Sequence, residues 1–278
     1  MQVFKFGGAS LKDAAGVKNV ASILQQYQNQ SLIIVVSAMG KTTNTLEAVV
    51  AAHAKQTGEA QTLYDAFKEQ HYAIMRELFE PSDEAFTTVN DTFIEGEWVL
   101  EEPPSDNYDY MYDQIVCMGE LVCSKIVTAY LNKIGLKTQW LDARDVVATD
   151  NTFREGWVIW DKTKANALKI VQPMLDKGGF VLTQGFIGST SENFTITLGR
   201  EGSDYSAAIF SHCLDATAMT IWKDVPGVLN ADPRMFDNTI KLDRLSYREA
   251  IEMTYYGAQV IHPKTIKPLQ NKNIPFFV

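Results

Sequence analysis

The chain has 278 residues, of which 46% are hydrophobic and 21% charged, enough to bury a full core as one large domain or two lobes. Its 25 lysines and arginines face 34 acidic residues, a net charge of −9 with no long basic run, which argues against nucleic acid and anionic membrane as partners. No apolar stretch reads as long enough to cross a membrane, and the opening MQVFKFGG reads as a strand rather than a leader, so the expected location is cytoplasmic.

Val3–Phe6 is a short apolar strand interrupted by Lys5, and Gly7-Gly8-Ala9-Ser10 follows it. A lysine there is costly unless it emerges at the strand end or meets an anion, and the two glycines offer bare N–H groups to the same anion. Lys5 is therefore a phosphate candidate, with a snorkelling edge lysine as the plain alternative. Val17, Val20, Ala21 and Leu24 give the next helix one apolar face. Leu32–Val36 is a continuous apolar run, expected of a strand buried on both faces of a parallel sheet. The Gly40-Lys41-Thr42-Thr43 that follows is not a P-loop, because Val35 stands where that motif needs its first glycine.

From about 46 to 131 the pattern is almost wholly helical, punctuated at 80–83 and 101–106, and reads as a helical insertion. Its last helix, roughly 110–131, is apolar all round, and Glu120 is the only charge between Asp113 and Lys125. A buried carboxylate needs a cation, and either an internal arginine or lysine or a ligand ammonium satisfies it. Cys117, Cys123 and Cys213 lack partners at metal-ligand spacing and read as reduced packing residues, and the four scattered histidines read as solvated or satisfied imidazoles. Lys137–Leu141 is a further strand, with short extensions at 144–147 and 158–160, a helix over 163–175 carrying Pro173, and a strand over 179–184.

Leu198–Ala208, LGREGSDYSAA, combines a strand end, a glycine turn and a helix start at Ser203. Unpaired first-turn N–H groups and the helix dipole favour an anion there, and Arg200 adds a planar fork that suits a carboxylate. An ordinary capped turn is the alternative. Beyond a strand over 216–221, the stretch 222–234 is dense in Pro, Gly, Asn and Asp and reads as a long ordered loop with Asp224 and Arg234 as charged candidates. A helix over 246–256 and a terminal strand over 274–278 complete the chain, whose abrupt end suggests a truncated form. Strands alternating with helices imply a largely parallel sheet covered on both faces.

Together these segments resemble the catalytic domain of aspartate kinase, in the amino acid kinase superfamily, along essentially the whole chain. The resemblance rests on Lys5-Phe6-Gly7-Gly8, Val36-Ser37-Ala38, Thr43-Asn44, Met118-Gly119-Glu120, Thr183–Gly188, Thr197–Arg200 with Gly202-Ser203-Asp204, Asp224–Gly227, Asp232-Pro233-Arg234 and Gly257-Ala258 with His262-Pro263, in that family's order. It implies an α/β fold, a three-layer αβα sandwich with a mostly parallel sheet. An acceptor-binding lobe would cover about 1–200 and an ATP-binding lobe about 201–278, and the regulatory ACT domains would lie beyond this chain. It further implies that Lys5, Gly7 and Gly8 line the phosphates, with Ser37 near the transferred group. Thr43, Glu120 and Arg200 would hold L-aspartate, Glu120 on its ammonium and Arg200 on its α-carboxylate. Asp204, paired with Lys5 as the catalytic residues, would organise the phosphate region, and Lys223, Asp224 and Arg234 would meet the nucleotide.

The implied reaction passes the γ-phosphoryl group of MgATP to the β-carboxylate of L-aspartate, with ATP and Mg²⁺ as cofactors, no protein metal ligand assigned, and a homodimer as the family's common assembly. Relatives that use another acceptor, and a non-catalytic binding module, are the rival readings. Three positions depart from the family's pattern. Glu201 stands where glycine is common, Leu229 where tyrosine is, and Gln259 where lysine is, and the last two put nucleotide contacts in doubt.

Overall fold

The computed structural model describes residues 1–257 and 261–278. In chain order the main elements are β1 (Gln2–Phe6), α1 (Ala14–Gln25), β2 (Leu32–Val36), α2 (Thr42–Ala54), α3 (Ala60–Leu78), α4 (Ala85–Glu101), α5 (Tyr108–Val116), α6 (Met118–Lys133) and β3 (Thr138–Leu141). They continue with α7 (Trp160–Asn166), α8 (Gln172–Asp176), β4 (Phe180–Gln184), β5 (Ile187–Ser189), β6 (Thr195–Thr197), α9 (Gly202–Cys213), β7 (Ala218–Trp222), α10 (Tyr247–Tyr255), α11 (Pro263–Asn271) and β8 (Phe276–Phe277).

Six strands form one sheet in the order β3-β4-β2-β1-β7-β8, and every neighbouring pair is parallel. Alternation along β1 and β2 divides the core. Phe4, Phe6, Leu32, Ile34 and Val36 face α1 and the α2–α6 helices, whereas Val3, Ile33 and Val35 face the layer that contains α9 and α11. That is the expected αβα sandwich. Lys5 alternates with Phe4 and Phe6, so the period of two turns it toward α9. β5 and β6 form a separate antiparallel hairpin.

The structure corrects several local expectations. Residues 144–147 form no strand: Asp142 accepts the Arg144 N–H and starts a tight turn over Ala143–Asp145. At 158–160 only Val158 makes a β-bridge, to Thr149, and Trp160 opens α7. The helix expected over 163–175 starts earlier and widens into a π-turn at Ala167–Val171 just before Pro173, whose missing N–H disrupts the regular ladder. α11 was not expected, because Pro268 lies inside it and lysines flank its buried Ile266 and Leu269. The apolar segment over 110–131 breaks at Cys117 into α5 and α6. Tyr108–Lys133 does have the length and mean hydropathy of a membrane span, contrary to the sequence reading, yet 78% of its most apolar window is buried inside the protein. All three cysteines are buried and free.

Candidate active site

In a parallel sheet the carboxyl ends of all strands gather at one edge, and ligands bind where the chain leaves neighbouring strands in opposite directions. Here β1 is that point, with β2 and β4 on one side and β7 on the other. A cleft of about 790 Å³ opens at this edge. Lys5, Gly8, Ser37, Thr43, Glu120, Arg200 and Asp204 all line it.

Lys5 is 6% exposed and its ammonium lies 2.7 Å from Asp204 Oδ1, on the first turn of α9. Lys223, just past β7, approaches Asp204 Oδ2 at 3.4 Å. Asp204 is 1% exposed, so one buried carboxylate holds two ammonium groups at the head of the cleft. Close approach requires glycine at position 8, where a Cβ would lie 2.5 Å from the Ala38 carbonyl oxygen, whereas a Cβ on Gly7, which does not line the cleft, would make only ordinary contact at 3.4 Å from the Lys5 ammonium. Gly40 N–H donates to the Gly8 carbonyl at 3.0 Å, locking the turn after β1 to the turn after β2.

Glu120 enters from the first turn of α6. Gly119 lets that turn approach: a Cβ there would meet Ala38 Cβ and Thr42 Cγ2 at 3.0 Å. One Glu120 oxygen accepts the Ala38 N–H at 3.3 Å, while Oε2 is buried without a hydrogen-bond partner. No protein cation pairs with it among the described residues, so the internal ion pair is not formed. Burial pushes the carboxyl up to about 8, opposed by the Ala38 N–H and by the charge of Lys5.

Arg200 sits exposed at the mouth of the cleft, in the turn between β6 and α9, and makes no ion pair with a described residue. α9 begins at Gly202 rather than Ser203, and its N-cap is Glu201 in a left-handed conformation, φ 55°, with an exposed side chain and no capping bond. An L-residue there carries about 1 kcal/mol or more of strain. Phe186 and Arg154, two further non-glycine residues on the cleft wall, also have positive φ, 73° and 67°.

The nucleotide-side expectations fare differently. None of Lys223, Asp224 and Arg234 lines this cleft, although Lys223 reaches Asp204. Arg234 instead folds back on Asp232 in the exposed loop, Nε to Oδ1 at 3.0 Å and Nη2 to Oδ2 at 2.7 Å. Leu229 is half-buried and bridges Lys241 across a short ribbon. Gln259 and Ala258 lie outside the described residues.

Sequence reasoning missed one whole wall. Asp109 and Tyr112 of α5, with Thr152, Phe153, Arg154 and Glu155 of the segment between β3 and α7, line another part of the cleft. Behind them, buried Asp113 accepts the Arg154 N–H at 2.9 Å and the Thr197 hydroxyl at 2.6 Å. Burial pushes its carboxyl up to about 6. The available signal was an acidic residue in an otherwise apolar helix face, the same signal that marked Glu120.

The model of the amino acid kinase family matches residues 1–278. Lysine-sensitive aspartokinase 3 of Escherichia coli (strain K12) is 35% identical over 278 residues, covering 99% of this chain and 60% of that protein. Aspartokinase 1, chloroplastic, of Arabidopsis thaliana is 32% identical, covering 98% of this chain and 48% of that protein. The chain thus spans well under two thirds of the length of these relatives. Among solved structures, E. coli aspartokinase III in complex with aspartate and ADP (R-state) superposes with a TM-score of 0.90 at 32% identity, covering 99% of this chain and 61% of that one. Uridylate kinase from Archaeoglobus fulgidus, at 16% identity and a TM-score of 0.53, shares the fold. With a family match along its full length and a parallel sheet whose carboxyl edge carries the lysine, glycine and carboxylate constellation, the chain belongs to the amino acid kinase family.

Proposed function

We propose that this chain transfers the γ-phosphoryl group of MgATP to the β-carboxylate of L-aspartate, giving 4-phospho-L-aspartate and ADP, the first step toward lysine, threonine and methionine. The observation that carries the reading is the Glu120 carboxylate: buried, at the cleft, with one oxygen that has no partner among the described residues. A buried carboxylate of this kind is stabilised by a ligand cation, and a free α-ammonium supplies it where an acetylated nitrogen would not. Arg200, which makes no ion pair with a described residue, suits the α-carboxylate at the same cleft, and Thr43 adds a hydroxyl to its lining. The similarity to aspartokinases supports the choice of aspartate over other acceptors.

The reacting carboxylate has an ordinary pKa of about 3.9 and is ionised at neutral pH, so no general base is needed. Catalysis is then alignment and charge stabilisation. Lys5 and the Gly7 and Gly8 N–H groups neutralise charge on the phosphoryl oxygens, Ser37 borders the transferred group, and Asp204 fixes Lys5 and Lys223 in place. Asp224 and Arg234 belong to the nucleotide side in this reading, and reach it only if their loop closes toward Lys223. The division into an acceptor lobe over about 1–200 and a nucleotide lobe over about 201–278, a cytoplasmic location and a homodimer are parts of the same reading.

Magnesium fits as an ion carried on the nucleotide. Among the described residues no three His, Cys, Asp or Glu side chains converge as a metal-binding group, and Mg²⁺ ordinarily keeps several waters and takes few protein ligands beside substrate phosphates. When bound it offsets charge on the transferring phosphates. ADP release measured over L-aspartate, L-glutamate, N-acetyl-L-glutamate and UMP tests the reading. Turnover with L-aspartate alone is expected, and turnover with another acceptor but not aspartate refutes it.

A further inference from the structure

We propose that Arg154 is a second arginine of the acceptor site, holding its guanidinium at the cleft mouth to take a carboxylate of the amino acid alongside Arg200. The inference rests on the aspartate-phosphorylating function above and adds a residue to its specificity.

The backbone is built to keep Arg154 where it is. Its φ of 67° is unfavourable for any residue but glycine, yet its N–H is pinned at 2.9 Å by buried Asp113, which also accepts from Thr197 of β6. Gly156 N–H donates to the Thr197 carbonyl at 2.9 Å, closing the loop onto the same strand. β6 runs directly into the Arg200 turn, and a Cβ on Gly199 would lie 3.3 Å from the Arg154 carbonyl oxygen. The two arginines therefore come from segments in contact, and Asp113 is the positioning residue that joins them.

The side chain is pre-organised as well. The guanidinium lies over the Tyr112 ring at 4.3 Å from its centroid, and the Tyr112 hydroxyl is itself held by Glu47 at 2.9 Å. Stacking on a ring face leaves the in-plane N–H fork free for a carboxylate. Its present partner is Asp109 at 3.2 Å, with both side chains about half exposed, a pair of little worth that a ligand carboxylate in the cleft can displace. Charge balance makes both arginines necessary. Asp109, Glu120, Glu155, Glu201 and Asp204 line the cleft against Lys5, Arg154 and Arg200. An acceptor that brings two carboxylates into this lining meets net repulsion unless both arginines face it.

The test is Arg154→Gly, which removes the side chain while suiting the left-handed backbone and leaving the Asp113 bond intact. Calorimetric titration of L-aspartate into the wild-type chain and the variant reads the role without requiring turnover. Loss of one charge-assisted carboxylate contact predicts a Kd about tenfold or more weaker, with ATP affinity unchanged, Tm no lower than wild type because glycine relieves the left-handed strain, and Arg154→Lys partly restoring aspartate binding. A Kd for aspartate within about twofold of wild type overturns the inference, since that is below the worth of one such contact. Equal losses for aspartate and ATP overturn it too, because they mark a general structural role. Failure of the parent reading looks different: the wild type binds aspartate yet releases no ADP with it. A wild-type chain that binds no aspartate overturns both.

Discussion

Replacing Glu120 by glutamine should make the ligand-free protein more stable while removing its grip on aspartate. The carboxyl is 3% exposed and burial pushes it from an ordinary 4.5 up to about 8. A carboxyl raised in this way favours the protonated folded state, so stability is fully present below pH 4.5 and falls as pH rises toward 8. At about 1.4 kcal/mol per pH unit the penalty reaches roughly 3 kcal/mol at pH 7 and about 5 kcal/mol above pH 8. Glutamine has the same shape and no charge, so it escapes the penalty. For a domain of this size the difference at pH 7 corresponds to a Tm gain of about 5 °C or more. Scanning calorimetry from pH 4 to 8.5 measures it: the gap between variant and wild type should be near zero at pH 4 and widen as pH rises. Adding L-aspartate should raise the Tm of the wild type and not of the variant. A gap that does not grow with pH, or equal stabilisation of both proteins by aspartate, would refute the assignment of Glu120 as a buried, unpaired ammonium acceptor.

Lys5→Ala should lower kcat by about two orders of magnitude or more, as expected for removing preorganised charge from a phosphoryl-transfer site, with only a modest change in the KM for aspartate; steady-state rates near wild type would remove Lys5 from catalysis. Arg200→Ala should raise the KM for aspartate about tenfold or more through loss of a bidentate contact, and an unchanged KM would strike out that role. Glu201→Gly should raise Tm by a few degrees, because relief of about 1 kcal/mol of left-handed strain outweighs the added unfolded-state freedom; a lower Tm would show that the Glu201 side chain contributes a contact of its own.

What could be read from the sequence depended on how local the governing physics is. β2 was legible because a strand buried on both faces must be apolar throughout, and Leu32–Val36 is. Glu120 and Lys5 stood out because a single charge in apolar surroundings is costly, and both prove buried at one cleft. The anion turn before α9 was legible from its glycines, although its left-handed Glu201 hid the true first residue of the helix. By contrast, the wall formed by Asp109, Tyr112 and Arg154 depends on contacts between residues more than 40 positions apart, such as Asp113 to Arg154. No periodicity encodes those. Arg154 at positive φ is equally hidden, since only glycine announces that conformation. α11 escaped notice for a third reason: it keeps its fold by burying Ile266, Pro268 and Leu269 despite an internal proline that local propensity counts against it. Asp224 and Arg234 stood out as the charged residues of a long ordered loop, but only the family resemblance tied them to the nucleotide, and neither lines the cleft.

The account as a whole claims that one zwitterionic amino acid lies between Glu120 and Arg200 with its second carboxylate facing Lys5. Trapping of the product by hydroxylamine tests this most directly, because only an acyl phosphate is converted to a hydroxamate. Incubated with L-aspartate, MgATP and hydroxylamine, the protein should form aspartyl β-hydroxamate in step with ADP release, and N-acetyl-L-aspartate should give none. Absence of the hydroxamate with aspartate, or equal yield from the acetylated acceptor, would contradict it.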